Sequence, residues 1–104
     1  MKIQFNTDKN VTGSEELKTS MKALISEDLS RYSDQITRLE VHLSDEDGDK
    51  HGQNDKRCII EARLEGIQPI AVTNHANTSE QAVTGAVDKL RSSLDTIRGR
   101  LRNH

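Results

Sequence analysis

The feature that most constrains the fold is a regular apolar pattern in the last quarter of the chain. Thr78 and Gln81 have the spacing of a capping box, which predicts that a helix begins here and runs to Arg102. Such a helix must pack against another apolar surface. Six aliphatic residues recur at alternating steps of four and three, the spacing of one helix face: Val83, Val87, Leu90, Leu94, Ile97 and Leu101.

An earlier segment has the same helical spacing. Apolar residues from Leu17 to Tyr32 predict a first helix, capped by Thr12 or by Ser14, with Thr12 and Glu15 at the spacing of a capping box. Asp28 falls within the apolar arc if this helix is straight. We therefore expect either a partner for the Asp28 carboxylate or a bend in the helix.

Four other segments alternate apolar and polar residues, as half-buried strands do. The last of them is predicted to begin with Pro69, since the first position of a strand tolerates a missing N–H. The charged segment between the second and third strands is predicted to be a mobile loop over residues 45–56. The apolar residues that define the strands are Ile3 and Phe5, then Leu39, Val41 and Leu43, then Cys58, Ile60, Ala62 and Leu64, and finally Ile70 and Val72.

The order of elements is therefore β-α-β-β-β-α. A right-handed crossover makes the first two strands parallel if they are adjacent. Because each strand has one apolar face, we predict an α+β fold with a four-stranded mixed sheet and both helices packed on one face. The other face would be polar and would carry His42 and His75. With 104 residues and no linker, the chain is predicted to be a single domain over residues 1–104.

Composition narrows the functional classes. The net charge is −2, and the single cysteine, Cys58, cannot form an internal disulfide, which fits a reducing compartment. No apolar run has membrane-spanning length, and the N-terminus lacks the apolar core of a signal peptide. We predict a cytoplasmic protein that does not interact with membranes.

Metal and catalytic motifs are weak. A calcium loop beginning at Asp45 would place Lys50 at the glycine position and Lys56 at the final glutamate position, and one beginning at Asp47 would end on Cys58. The histidines His42, His51 and His75 do not have zinc-ligand spacing with one another or with Cys58, which lies on the predicted core face. We therefore predict no metal, no cofactor, no small-molecule substrate and no enzymatic activity.

The last helix is rich in cations. At 100° per residue, Arg91, Arg98 and Arg102 lie on one flank of the apolar stripe, and Lys89 and Arg100 lie on the other. These flanks could contact phosphates despite the negative net charge, or they could serve only as a solvated face that suits the helix dipole. A carboxylate at position 95 is spaced to pair with both Arg91 and Arg98, which would neutralise one flank.

Two segments resemble a known family. The helix sequence Ala-Val-Thr-Gly-Ala-Val-Asp-Lys-Leu over 82–90, with Leu94 and the basic run over 98–102, is similar to that of ribosome hibernation-promoting factors and ribosome-associated inhibitors, the sigma-54 modulation proteins. Leu29 and Tyr32 match the L-x-x-Y motif near the end of that family's first helix. The resemblance covers the whole chain in element order, and the length resembles the short type of the family.

The resemblance implies a ribosome-associated translation inhibitor. Such a protein binds the small ribosomal subunit and its rRNA in stress or stationary phase, blocks the channel for mRNA and tRNA, and is expected to be monomeric off the ribosome. The basic residues would bind rRNA phosphates, with Arg91 added from the helical wheel and the first-helix cations as weaker candidates. The candidate rRNA-binding residues are Lys89, Arg91, Arg98, Arg100, Arg102, Lys18, Lys22 and Arg31.

Four positions depart from the family pattern. Glu80 stands where an aromatic residue is frequent, and Thr84 replaces an aspartate. Glu27 and Asp28 bring acidic charge to a part of the first helix that is often basic. The alternative hypothesis is therefore a divergent protein-interaction module of the same fold, which would use the polar sheet face or a sheet edge instead of binding the ribosome.

Overall fold

The structure, a computed structural model, describes residues 1–11, 13–46 and 55–102, with side chains up to residue 99. The predicted element order is confirmed. The elements are β1 (Lys2–Thr7), α1 (Ser14–Asp28), a 3-10 turn η1 (Ser30–Tyr32), β2 (Ile36–Asp45), β3 (Lys56–Leu64), β4 (Ile67–Ala76) and α2 (Ser79–Arg102).

The sheet has the strand order β1-β2-β3-β4. Strand β1 pairs with β2 in parallel, in a register that places Phe5 beside Val41, and the other two pairings are antiparallel. Leu43 of β2 lies beside Cys58 of β3 on the same face. The predicted α+β fold with a mixed four-stranded sheet is therefore confirmed.

One hydrophobic cluster joins the sheet to both helices. It is mostly aliphatic, as the composition requires, and Tyr32 is the largest of its fully buried side chains. Helix α2 lies on β3 and β4, whereas α1 lies on β1. The fully buried residues that α2 contributes are Ala82, Val83, Ala86, Val87, Leu90 and Leu94.

Helix α2 begins as the sequence predicts. The Thr78 hydroxyl accepts a hydrogen bond of 3.1 Å from the backbone N–H of Gln81, and the Thr78 carbonyl accepts one of 2.9 Å from Ala82. The first contact satisfies one of the N–H groups that the first turn leaves without partners, and the second is the first backbone hydrogen bond of the helix. The cap thereby fixes where the helix starts above the end of β4.

The first helix is shorter than predicted. It ends at Asp28, and the chain continues through Leu29 into η1, so Asp28 is exposed and lies outside any buried arc. The predicted Ser14 cap is also wrong. Gly13, in a left-handed conformation with φ 65°, precedes the helix and makes no side-chain cap, while Thr12 lies outside the described residues.

Two strands begin earlier than predicted because each contains an irregularity in register. Ile36 pairs with Leu64 but Arg38 pairs with Arg63, so β2 carries one extra residue that returns Ile36 to the core face. In β4, the register shift falls around Pro69, inside the strand and not at its start. Alternation alone does not reveal such irregularities, because they invert the face that each residue occupies.

Both ends of the predicted 45–56 loop belong to the sheet. Asp45 ends β2, Lys56 begins β3, and Asp45 and Asp55 are only 7% and 6% exposed. The Lys56 ammonium lies 2.8 Å from Asp55 Oδ2 and 3.3 Å from Asp45 Oδ2. Buried carboxylates need such a partner, so this ion-pair cluster closes the base of the hairpin. Residues 47–54 lie outside the described part of the chain.

The cluster makes stability pH-dependent. The hydrogen bond from Lys56 lowers the pKa of Asp55 below its ordinary 3.8. The ionised Asp55 therefore stabilises the fold above pH 3.8, and this contribution is lost as pH falls through the lowered pKa. We expect Asp55→Asn to be less stable than the wild type at neutral pH and to lose less stability on acidification. Urea denaturation at neutral pH and at about pH 3 measures both effects, with exposed Asp28→Asn as the control.

A close contact joins α2 to β4. The Asn74 side-chain amide of β4 donates to the carbonyls of Gln81 and Ala82, at 3.3 and 3.2 Å. A Cβ atom at Gly85 would lie 2.1 Å from Asn74 Nδ2 and 2.7 Å from Asn74 Cγ. Because Gly85 has no Cβ atom, the Asn74 amide fits between the strand and the helix.

We expect Gly85→Ala to destabilise the fold by about 1–3 kcal/mol, the cost of overpacking at a fixed contact. Gly99→Ala is the matched control, because, among the described residues outside its own stretch of helix, no heavy atom lies within 4 Å of its Cβ position. That variant should be neutral or up to ~1 kcal/mol more stable, as helix propensity predicts. Thermal denaturation compares the two, and an Asn74→Ala/Gly85→Ala double variant should recover part of the loss. Equal effects at both glycines would contradict the steric explanation.

Candidate nucleic-acid interface

Two of the predicted basic residues of α2, Lys89 and Arg98, lie on opposite flanks of the helix. Lys89 and Arg98 are nine positions apart, which corresponds to about 180° around the helix. The Lys89 ammonium donates a 2.7 Å hydrogen bond to the Thr73 carbonyl of β4, so this flank faces the β4 side of the sheet. Arg98 faces the opposite side, where its guanidinium lies 5.5 Å from the centroid of the Tyr32 ring. Because the apolar face of α2 is buried against the sheet, the Lys89 and Arg98 side chains must leave the helix on its two opposite sides.

Tyr32 connects η1 to α2. Its side chain is fully buried, and its hydroxyl donates a short hydrogen bond to Asp95 Oδ1. The Arg31 guanidinium donates to the same oxygen at 2.7 Å and lies 4.8 Å from the Tyr32 ring centroid. The Tyr32 and Arg31 hydrogen bonds lower the pKa of Asp95, so its carboxylate is ionised at neutral pH. The hydrogen bond that Arg31 donates to Asp95 also raises the pKa of Arg31.

The predicted pairing of Asp95 with Arg91 is wrong, whereas the charge of Arg98 does act on Asp95 and contributes to its lowered pKa. Asp95 pairs instead with Arg31, 64 positions earlier in the chain, and Arg91 lies 3.6 Å from Asp88. The physical reason is that η1 turns the chain under α2 and presents the Tyr32 hydroxyl to Asp95. The helical spacing within α2 contains no information about η1.

Two guanidinium groups border one open depression of 390 Å³. It is lined by Arg31, Asp95, Arg98 and Gly99. Guanidinium groups bind phosphate oxygens through paired N–H donors. The arrangement of two arginines around one carboxylate has a net positive charge and suits a phosphate.

The remaining candidates are dispersed. On α1, Lys18 lies 3.9 Å from Glu15 and Lys22 is exposed. The side chains of Arg100 and Arg102 lie outside the described part of the structure, although both residues belong to α2. Of the six predicted residues whose side chains are described, the structure therefore brings together Arg31 and Arg98. Sequence reasoning missed Asp95 as the partner of Arg31, whereas Tyr32 had two signals, the apolar helical spacing and the L-x-x-Y match.

Within the described residues, no group of His, Cys, Asp and Glu side chains could hold a metal ion. His42 and His75 are exposed, and His75 Nε2 lies 3.6 Å from Glu46 Oε1. His51 lies outside the described residues. Neither helix, over its described length, is long and apolar enough to cross a membrane.

Known proteins place the fold in context. The family model of the sigma 54 modulation protein / S30EA ribosomal protein family matches residues 5–102. The chain belongs to this family. The predicted family is therefore confirmed, and it is a family of ribosome-associated factors. No curated protein sequence matches the chain significantly.

Two solved structures share the fold. The N-terminal domain of Protein Y from Thermus thermophilus superposes with a TM-score of 0.73 at 21% identity, covering 93% of this chain and 99% of that one. A ribosomal subunit interface protein from Coxiella burnetii gives a TM-score of 0.67 at 15% identity, covering 95% of this chain and 99% of the other. At these identities the similarity establishes the fold.

The burial of Cys58 on the core face of β3 predicts that its thiol reacts slowly. Burial raises the pKa of its thiol to about 12, so the reactive thiolate is scarce at neutral pH. We expect alkylation by iodoacetamide to be slow in the native protein and fast in denaturant. Mass spectrometry over a urea series should show labelling that follows global unfolding. Rapid labelling of the native protein would contradict the burial of Cys58.

Proposed function

We propose that this protein binds the small ribosomal subunit through phosphate contacts of its basic helix residues and blocks the channel that mRNA and tRNA use. The observation that carries the proposal is the convergence of Arg31 and Arg98 on one depression, in a chain of a ribosome-associated family. The mechanism is steric: the folded domain occupies space that translation requires, and the cations hold it against rRNA.

The negative net charge does not oppose this proposal. Glu80, at the start of α2, and Arg98 are 18 positions apart, or about 27 Å along the axis at 1.5 Å per residue. Charges in solution are screened within about 8 Å at physiological ionic strength. Glu80 therefore has little effect on the field at Arg98, and the same holds for Glu16 of α1, which lines one depression together with Glu80. The exposed Glu27 and Asp28 lie nearer to Arg31 and oppose it.

The alternative, a protein-interaction module, would use the polar sheet face or a sheet edge. Strand β4 is at an edge of the sheet, but Pro69 interrupts its register and Lys89 occupies the Thr73 carbonyl. Proline and lysine at an edge strand hinder the addition of a further strand. These contacts favour the ribosome-binding proposal over β-augmentation at β4.

Co-sedimentation with ribosomes at low and moderate salt tests the proposal. We expect binding to the small subunit that weakens steeply with salt, because phosphate contacts release counterions. Arg98→Glu should weaken binding by about tenfold or more at low salt, since it replaces a phosphate contact with a repulsive charge. The logarithmic salt slope should also fall by about 0.7–0.9.

Arg63→Glu is the matched control. It makes the same change in charge at an exposed position of β3, away from the helices, and should bind much as the wild type does. If both reversals weaken binding equally, net charge alone is responsible. If the wild type does not bind at either salt concentration, the proposal is wrong.

A further inference from the structure

The Tyr32 ring has two guanidinium groups beside it. Those of Arg31 and Arg98 lie 4.8 and 5.5 Å from its centroid, both within the range of cation–π attraction. Because the Tyr32 side chain is fully buried, both guanidinium groups contact an aromatic ring that is held within the core. Two residues that are 67 positions apart in the sequence are thus brought to one surface.

Asp95 restricts Arg31 further. Its Oδ1 atom accepts hydrogen bonds from both the Tyr32 hydroxyl and Arg31 Nη2. The Asp95 and Arg31 side chains are 51% and 60% exposed, and exposed ion pairs contribute little stability. The main physical effect of the pair is therefore geometric, because it selects one direction for a long and otherwise mobile side chain.

We propose that Asp95 is a positioning residue for RNA binding, which holds Arg31 beside Arg98 so that both guanidinium groups face the phosphodiester backbone of one RNA strand. The inference rests on the proposed function and extends it, because it assigns a binding role to an acidic residue. The ligand would enter the depression lined by Arg31, Arg98 and Gly99. Asp95 itself would not contact the phosphates.

If Asp95 positions Arg31, removing its negative charge should weaken RNA binding and not strengthen it. Asp95 is negative, so simple electrostatics predicts that its removal strengthens binding to RNA phosphates. If Asp95 positions Arg31, its removal weakens binding instead, because Arg31 must then be ordered during association. The sign of the change separates the two explanations.

Asp88→Ala is a matched control for Asp95→Ala. Both residues lie on α2, and each pairs with an arginine. Asp88 lies 3.6 Å from Arg91, has a 74% exposed side chain and makes an ordinary i,i+3 surface pair. Both substitutions remove one negative charge and introduce the same helix-favouring residue.

Fluorescence anisotropy of N-terminally labelled protein with purified small ribosomal subunits, at one moderate salt concentration, measures the affinities. We expect Asp95→Ala to weaken binding by about three- to tenfold, the range for ordering one long side chain. Asp88→Ala should bind as the wild type does or up to about twofold more tightly. In an Arg31→Ala background, Asp95→Ala should no longer weaken binding, because no guanidinium remains to be positioned.

The outcomes are distinct. If Asp95→Ala binds as tightly as the wild type or more tightly, Asp95 only neutralises charge and the inference is overturned, while the proposed function stands. If the wild type does not bind, the proposed function fails and the inference fails with it. Should Asp95→Ala unfold, Tyr32→Phe replaces it, since this change keeps the ring and all charges but removes one hydrogen bond to Asp95. Tyr32→Phe should weaken binding about twofold, and unchanged affinity would overturn the inference.

Discussion

The structure depends on the burial of one aliphatic face of α2 against β3 and β4. Val83, Val87, Leu90 and Leu94 are fully buried there. At about 1.5–3 kcal/mol for each buried side chain, these four contribute roughly 6–12 kcal/mol, as much as the whole net stability of a typical domain. Helix α2 therefore cannot rotate or leave the sheet without unfolding the protein. The direction of every polar side chain on it follows from this constraint.

This burial explains which features the sequence predicts well. The period of α2, its Thr78 cap and the single apolar face of each strand give the element order and the sheet correctly. The irregularities near Ile36 and Pro69 could not be predicted, because each reverses the alternation on which strand prediction relies. The end of α1 was missed since Leu29 and Tyr32 keep helical spacing across a 3-10 turn.

The candidate site was predictable in part. Helical geometry gives the two basic flanks of α2, but a pair such as Arg31 and Asp95 joins residues distant in sequence and needs the tertiary fold. Asp95 has carboxylate-to-arginine spacing to Arg91 and Arg98, yet it meets Arg31 because the Tyr32 hydroxyl is already beneath it. The spacing within a helix shows which arginines a carboxylate could reach, whereas tertiary packing determines which arginine it pairs with.

The two flanks of α2 also differ in what their cations can do. Lys89, which matches the family motif, has its ammonium on the Thr73 carbonyl of the β4 edge, where a lysine hinders strand addition. One of its three N–H donors is therefore occupied. A phosphate bound there would have only the other two donors of the ammonium available. The Arg98 guanidinium lies 5.5 Å from the Tyr32 ring centroid and borders the open depression, and within the described residues no backbone carbonyl accepts a hydrogen bond from it. For this reason the flank beside Tyr32 is better suited to phosphate binding than the flank that carries the family's lysine.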